Sequence, residues 1–73
     1  MQKEAEIQTL PTTRFPKIIR LPEVLDKTGL SRSSVFLKIK NGEFPSSIPL
    51  GTRARGWLDS EINGWIQGRA SLR

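Results

Sequence analysis

The sequence predicts a mostly α-helical domain with a small β-wing: a winged helix-turn-helix of three helices and a short antiparallel sheet. Three observations predict it. Two short helical patterns flank Thr28-Gly29-Leu30 within residues 21–42. Two extended stretches joined by a glycine-containing connection follow them, and a last helical pattern opens with two carboxylates where a helix macrodipole favours negative charge.

Residues 1–16 mix Gln, Glu, Thr and two prolines without apolar periodicity. They have little to bury, so a mobile tail is expected, with Arg14 and Lys17 placed to touch phosphate as an arm does. Ile18-Ile19 is β-branched and reads as a short strand running into Leu21, with Arg20 at the junction. Pro22 suits the first position of a helix, because its φ is already helical and its missing N–H has no intrahelical partner there. Leu21, Val24, Leu25 and Thr28 then share one face, and Glu23, Asp26 and Lys27 point to water. Gly29 can adopt the left-handed conformation that ends a helix, and Leu30 folds back onto the apolar face.

Ser31 is a good N-cap for the second helix, its hydroxyl accepting from the N–H of Ser33 or Ser34. In that helix Val35, Phe36 and Ile39 form the core flank. Ser33, Ser34, Leu37 and Lys40 lie on or near the opposite side, free to meet a partner. Asn41-Gly42 ends it, and Phe44 before Pro45 plugs the core beneath it.

Ile48-Pro49-Leu50 and Arg55-Gly56-Trp57-Leu58 are the wing strands, joined by Gly51-Thr52-Arg53-Ala54. Pro49 cannot donate to a ladder, so its strand is an edge, and the Trp57 strand pairs on its other side with Ile18-Ile19. Leu58-Asp59-Ser60-Glu61 opens the last helix, in which Leu58, Ile62, Trp65 and Ile66 share a face. Trp57 and Trp65 are expected as core anchors and Gly68 as the helix terminator. The domain is therefore residues 17–68, followed by a frayed end at 69–73.

A chain of 73 residues with 36% apolar content supports one small domain. It has no cysteine and no histidine, which removes disulfides, the usual metal ligands and the commonest general base. With Asp26, Glu43, Asp59 and Glu61 all at helix surfaces or ends, no nucleophile and base pair can be assembled, so an enzyme is not expected, nor a metal, cofactor or small-molecule substrate. No apolar run approaches a membrane span and residues 1–10 lack the core of a secretory signal. The expected location is the cytoplasm, in association with the nucleoid.

The charge is +5 with a pI near 10.5, and its placement is informative. Residues 31–57 carry five cations, Arg32, Lys38, Lys40, Arg53 and Arg55, against the single anion Glu43. A basic excess on a helix-turn-helix and its wing suggests double-stranded DNA as the partner. Phosphate contacts are expected from Arg32, Lys38, Lys40, Arg53 and Arg55. Base-edge readout is expected from Ser33, Ser34 and Leu37, with Arg32 or Lys40 also able to reach guanine. One short helix and a wing span about one half-site, which favours repeated sites or cooperative self-association on DNA. Two alternatives use the same residues: an architectural factor that bends DNA at an attachment site, and a protein-interaction module docking through Phe36 and Leu37.

The motifs R-L-P-E-V-L, T-G-L-S-R-S-S-V, N-G-E-F-P and G-W-L-D-S-E-I-N-G-W-I, in this order and spacing, resemble the AlpA family of prophage regulatory proteins over about residues 17–67. The resemblance implies an excisionase-like, MerR-type winged helix-turn-helix and a regulator of prophage genes, including integrase genes whose expression promotes excision. It also implies that Ser31, Arg32, Ser33 and Ser34 open the recognition helix and that Arg53 and Arg55 lie on the wing. Position 36 departs from the family pattern, because Phe36 stands where tyrosine is usual and lacks the hydroxyl that could reach a phosphate.

Overall fold

The computed structural model describes residues 16–73. Along them run β1 (Ile18–Ile19), α1 (Leu21–Thr28), α2 (Arg32–Lys40), β2 (Ile48–Pro49), β3 (Arg55–Leu58) and α3 (Asp59–Ala70). This is the winged helix-turn-helix that the sequence predicts. The expected tail, with Arg14 as an arm, lies outside the described residues except for Pro16.

The turn between the first two helices forms as its residues dictate. Gly29 takes φ 74° and its N–H donates to the Leu25 carbonyl at 2.8 Å, the left-handed helix ending that a Cβ would penalise. Thr28 ties the corner: its hydroxyl donates to the Val24 carbonyl and accepts from the N–H of Leu30. Helix α1 starts one residue earlier than the position of Pro22 suggests. Leu21 is its first residue, and Arg20 sits at the N-cap without a side-chain cap.

The sheet is antiparallel in the order β1-β3-β2, with Ile19 opposite Trp57, Ile48 opposite Gly56 and Pro49 opposite Arg55. Pro49 is on an edge strand, as its missing donor requires. The N–H of Leu50 donates to the Ala54 carbonyl and closes the wing around residues 51–54. At the other end the N–H of Asp59 donates to the Lys17 carbonyl, extending the β1–β3 ladder by one bond. Gly56 lies between the two outer strands. A Cβ built there would come within 2.4 Å of the Ile18 Cγ2 and 3.1 Å of the Ile19 carbonyl oxygen.

The core consists of Ile19, Val24, Val35, Phe44, Trp57 and Ile62, one residue from every element but β2 and Phe44 from the α2–β2 connection, with Leu21, Leu25, Leu30, Ile39, Trp65 and Ile66 packed around it. The two indoles differ from the expected pair of core anchors. Trp57 is buried, but Trp65 is only half-buried at the rim, its ring meeting Phe44 edge-on at 4.8 Å. Both use their N–H on the same loop: Trp57 donates to the Pro45 carbonyl and Trp65 to the Glu43 carbonyl. A buried or half-buried indole N–H needs an acceptor, and here that need pins the connection between α2 and the wing.

Two further expectations are corrected. Gly68 does not end α3, which continues to Ala70: among the described residues only Gly29 and Gly42 have positive φ, and it is Ser71 that closes the helix, its hydroxyl donating to the Gly68 carbonyl. Lys27 does not simply point to water. Its ammonium donates to the carboxylate of Asp59 at the start of α3, and the pair is about three-quarters shielded from solvent.

That contact has a measurable consequence. The Lys27 hydrogen bond, aided by the Lys17 charge and Asn63 and opposed by burial, holds the Asp59 carboxyl below its ordinary range. A depressed folded-state value means the stabilisation is present above the unfolded value of about 3.9 and is lost as pH falls through the folded one. Melting temperature is therefore expected to fall between pH 5 and pH 2 more steeply in the parent than in Asp59→Asn. Parallel curves for the two proteins would show that the pair contributes nothing.

Candidate nucleic-acid interface

The surface of α2 is set by its cap and its core contacts. Ser31 caps the helix through its side chain, accepting from the N–H of Ser34 at 3.2 Å. Its hydroxyl also donates to the Ser34 hydroxyl at 2.9 Å and lies 3.4 Å from that of Ser33. Ser34 is thus occupied locally and half-buried, whereas Ser33 is exposed.

Taking Arg32 as the origin and about 100° per residue, Phe36, Lys40, Ser33 and Leu37 fall at about 40°, 80°, 100° and 140°, while Val35 and Ile39 fall at about 300° and 340°. The burial follows this division. Val35 is fully buried and Ile39, Lys38 and Ser34 are partly so, but Phe36 is 42% and Leu37 58% exposed. Phe36 therefore belongs to the outer stripe and not to the core flank assigned from the sequence. It lies beyond the edge of the core, where the guanidinium of Arg32 covers its ring at 5.4 Å from the centroid. The outer stripe of α2 is Arg32, Ser33, Phe36, Leu37 and Lys40.

The wing meets one edge of this stripe. Arg32, Phe36, Arg53 and Arg55 line a cleft of about 270 Å³ with Leu21, Pro22, Trp57 and a fourth arginine, Arg20. The arginines are not equivalent. Arg55 is held by the base of the wing, its Nε donating to the Ser47 hydroxyl at 2.6 Å and a terminal nitrogen to the Ser47 carbonyl at 3.3 Å. Arg20 donates its Nε to the Arg55 carbonyl at 2.8 Å. Among the described residues the guanidiniums of Arg32 and Arg53 make no hydrogen bond. Among the described residues the ion pairs are Lys17–Glu23 and Lys27–Asp59, so no arginine of the cleft is neutralised by a carboxylate.

Of the ten residues singled out from the sequence, Arg32, Phe36, Arg53 and Arg55 are brought together at the cleft. Ser31, Ser33, Leu37 and Lys40 lie on the exposed side of α2, and Ser34 and Lys38 turn toward the body of the domain. Arg20 is the residue that sequence reasoning missed. The signal for it was present: if Ile18-Ile19 pairs antiparallel with the Trp57 strand, the next residue of the first strand must arrive beside Gly56 and Arg55.

The chain is similar to known proteins in sequence. The family model described as prophage CP4-57 regulatory protein (AlpA) matches residues 17–70. The chain is 39% identical over 67 residues to the uncharacterized protein ORF88 of Enterobacteria phage P4, covering 92% of this chain and 76% of that protein. It is 34% identical over 62 residues to the DNA-binding transcriptional activator AlpA of Escherichia coli (strain K12), covering 77% of this chain and 89% of that one. No solved structure matches.

Proposed function

Since the chain belongs to the AlpA family of prophage regulatory proteins, we propose that it is a sequence-specific DNA-binding transcriptional regulator of prophage genes, acting on integrase expression and excision. Helix α2 enters the major groove and the wing lies on the adjacent backbone. The observation that carries this reading is the outer stripe of α2, which presents two cations, an exposed hydroxyl and two apolar side chains beside a wing arginine, with no carboxylate in ion-pairing range among the described residues. Cations position the protein on phosphate, and Ser33, Leu37 and Lys40 face base edges. A helix of 9 residues reads few base pairs, so full specificity comes from adjacent copies bound cooperatively.

The test is footprinting in the prophage host together with titration of random and selected duplexes at two salt concentrations. Protection at the integrase promoter supports the regulator. Protection confined to the attachment site would replace it with an architectural role, and salt-independent binding or none would remove DNA as the partner.

Leu37 gives the reading a residue-level test. An apolar side chain in the middle of the outer stripe can contact the C5-methyl of thymine, which is displayed in the major groove. Leu37→Ala is expected to leave melting and random-duplex affinity unchanged and to weaken specific binding by about 1 kcal/mol, the low end for a base contact. Replacing thymine by uracil at one position of the selected site should give the same loss in the parent and no further loss in the variant. A flat uracil scan would exclude the methyl contact.

A further inference from the structure

The cleft between α2 and the wing concentrates positive charge in a way that packing does not require. Arg20, Arg32, Arg53 and Arg55 come from the β1–α1 junction, the first turn of α2, the wing loop and β3, and they converge on one concavity. Four guanidiniums around about 270 Å³, without a carboxylate partner among the described residues, repel one another unless an anion joins them. The cleft is of a size to admit a phosphate group. Its floor is fixed as well as charged: Trp57 is buried beneath it, Ser47 holds Arg55, and Arg20 holds the Arg55 carbonyl. Arg32 is steadied over the Phe36 ring, leaving its N–H fork available.

We propose that this cleft is the seat of one phosphodiester group, held between Arg32 of the recognition helix and Arg53 of the wing, with Arg20 as the positioning residue that sets the spacing between those two elements. The assignment rests on the DNA-binding reading and deepens it, since it names the one backbone phosphate at which helix and wing act together. Arg20 acts through its bond to the Arg55 carbonyl. Arg55 acts through Ser47 and shapes the wing without needing to reach the phosphate itself.

The experiment is an NMR titration of the full chain with dimethyl phosphate, a diester like the DNA backbone, and with inorganic phosphate, each against chloride at constant ionic strength. The signals followed are the guanidinium N–H groups of Arg20, Arg32, Arg53 and Arg55 and the ring protons of Phe36. The expected result is saturable shifts confined to these groups with dimethyl phosphate and none with chloride. Arg32→Ala and Arg53→Ala should each weaken the binding about tenfold, as the loss of a charged hydrogen bond implies. Arg20→Lys, which keeps the charge but not the fork, should shift the Arg55 and Ser47 signals before any anion is added and weaken dimethyl phosphate binding, while melting as the parent does.

Linear shifts, shifts equal to those with chloride, or shifts centred on Lys38 and Lys40 would overturn the assignment. Saturation by inorganic phosphate alone would also overturn it, making the cleft a seat for free phosphate. Duplex binding without a saturable diester site would sink this inference and leave the regulator standing; a saturable diester site without duplex binding would keep the cleft and remove the regulator.

Discussion

Gly56→Val is expected to abolish cooperative folding, and Gly56→Ala to lower the melting temperature by roughly 5–15 °C. The reason is packing and not backbone conformation, since Gly56 is absent from the positive-φ glycines. Even the first carbon added meets Ile18 Cγ2 at 2.4 Å, the Ile19 carbonyl at 3.1 Å and Leu50 Cδ1 at 3.1 Å. Ile18 can rotate away because it is exposed, but the Ile19 carbonyl is backbone and Ile19 is core. Overpacking of this kind costs about 1–3 kcal/mol, against a gain of at most about 1 kcal/mol from the reduced entropy of the unfolded chain. For a domain of this size 1 kcal/mol corresponds to about 4–8 °C, and valine adds two further carbons at the same place. Thermal unfolding followed by circular dichroism reads the effect directly. An alanine variant that melts with the parent would mean that β1 moves aside at no cost.

Arg53→Ala and Arg55→Ala are expected to weaken DNA binding by different routes. Arg53 is exposed on the wing loop and makes no hydrogen bond among the described residues, so its loss should weaken random and specific duplexes alike. The slope of log K against log salt should become shallower by about 0.9, the value for one phosphate contact. Arg55 is tied to Ser47, so its loss frees the wing base, and affinity should fall with a smaller change in slope. An unchanged slope in Arg53→Ala would remove the wing from the backbone, and identical slopes in the two variants would contradict the division of labour between them.

Much of this architecture was legible because it depends on local chemistry. Gly29 and Ser31 announce the turn and the cap by what only such residues do well, and Pro49 announces an edge by the donor it lacks. The sheet order followed from that edge, since the Trp57 strand had one side left to pair. What escaped depends on where distant surfaces end. A helical wheel places Phe36 relative to Val35 and Ile39 but cannot say how far the core extends, and Phe36 falls just beyond it. The partner of Lys27 is Asp59, 32 residues away, so no local pattern contains the pair. The indole of Trp65 was read as apolar area, yet its N–H to the Glu43 carbonyl decides its place at the rim. Gly68 could have been a terminator by propensity, but the helix had no left-handed residue there to stop it.

The sheet order also dictates when this protein can become folded during its own synthesis. Ile19, Val24 and Val35 are made first, and Ile62, which covers them, is made 27 residues after Val35, about one to five seconds at ordinary elongation rates. Through that interval the nascent chain holds the residues of the two turn helices without their third partner, and those of β1 without the strand they pair with. Helices of 8 and 9 residues do not persist unpacked. Folding of the complete core therefore waits until Ile62 has been made, and a product that stops at the wing lacks the residue of α3 that closes it.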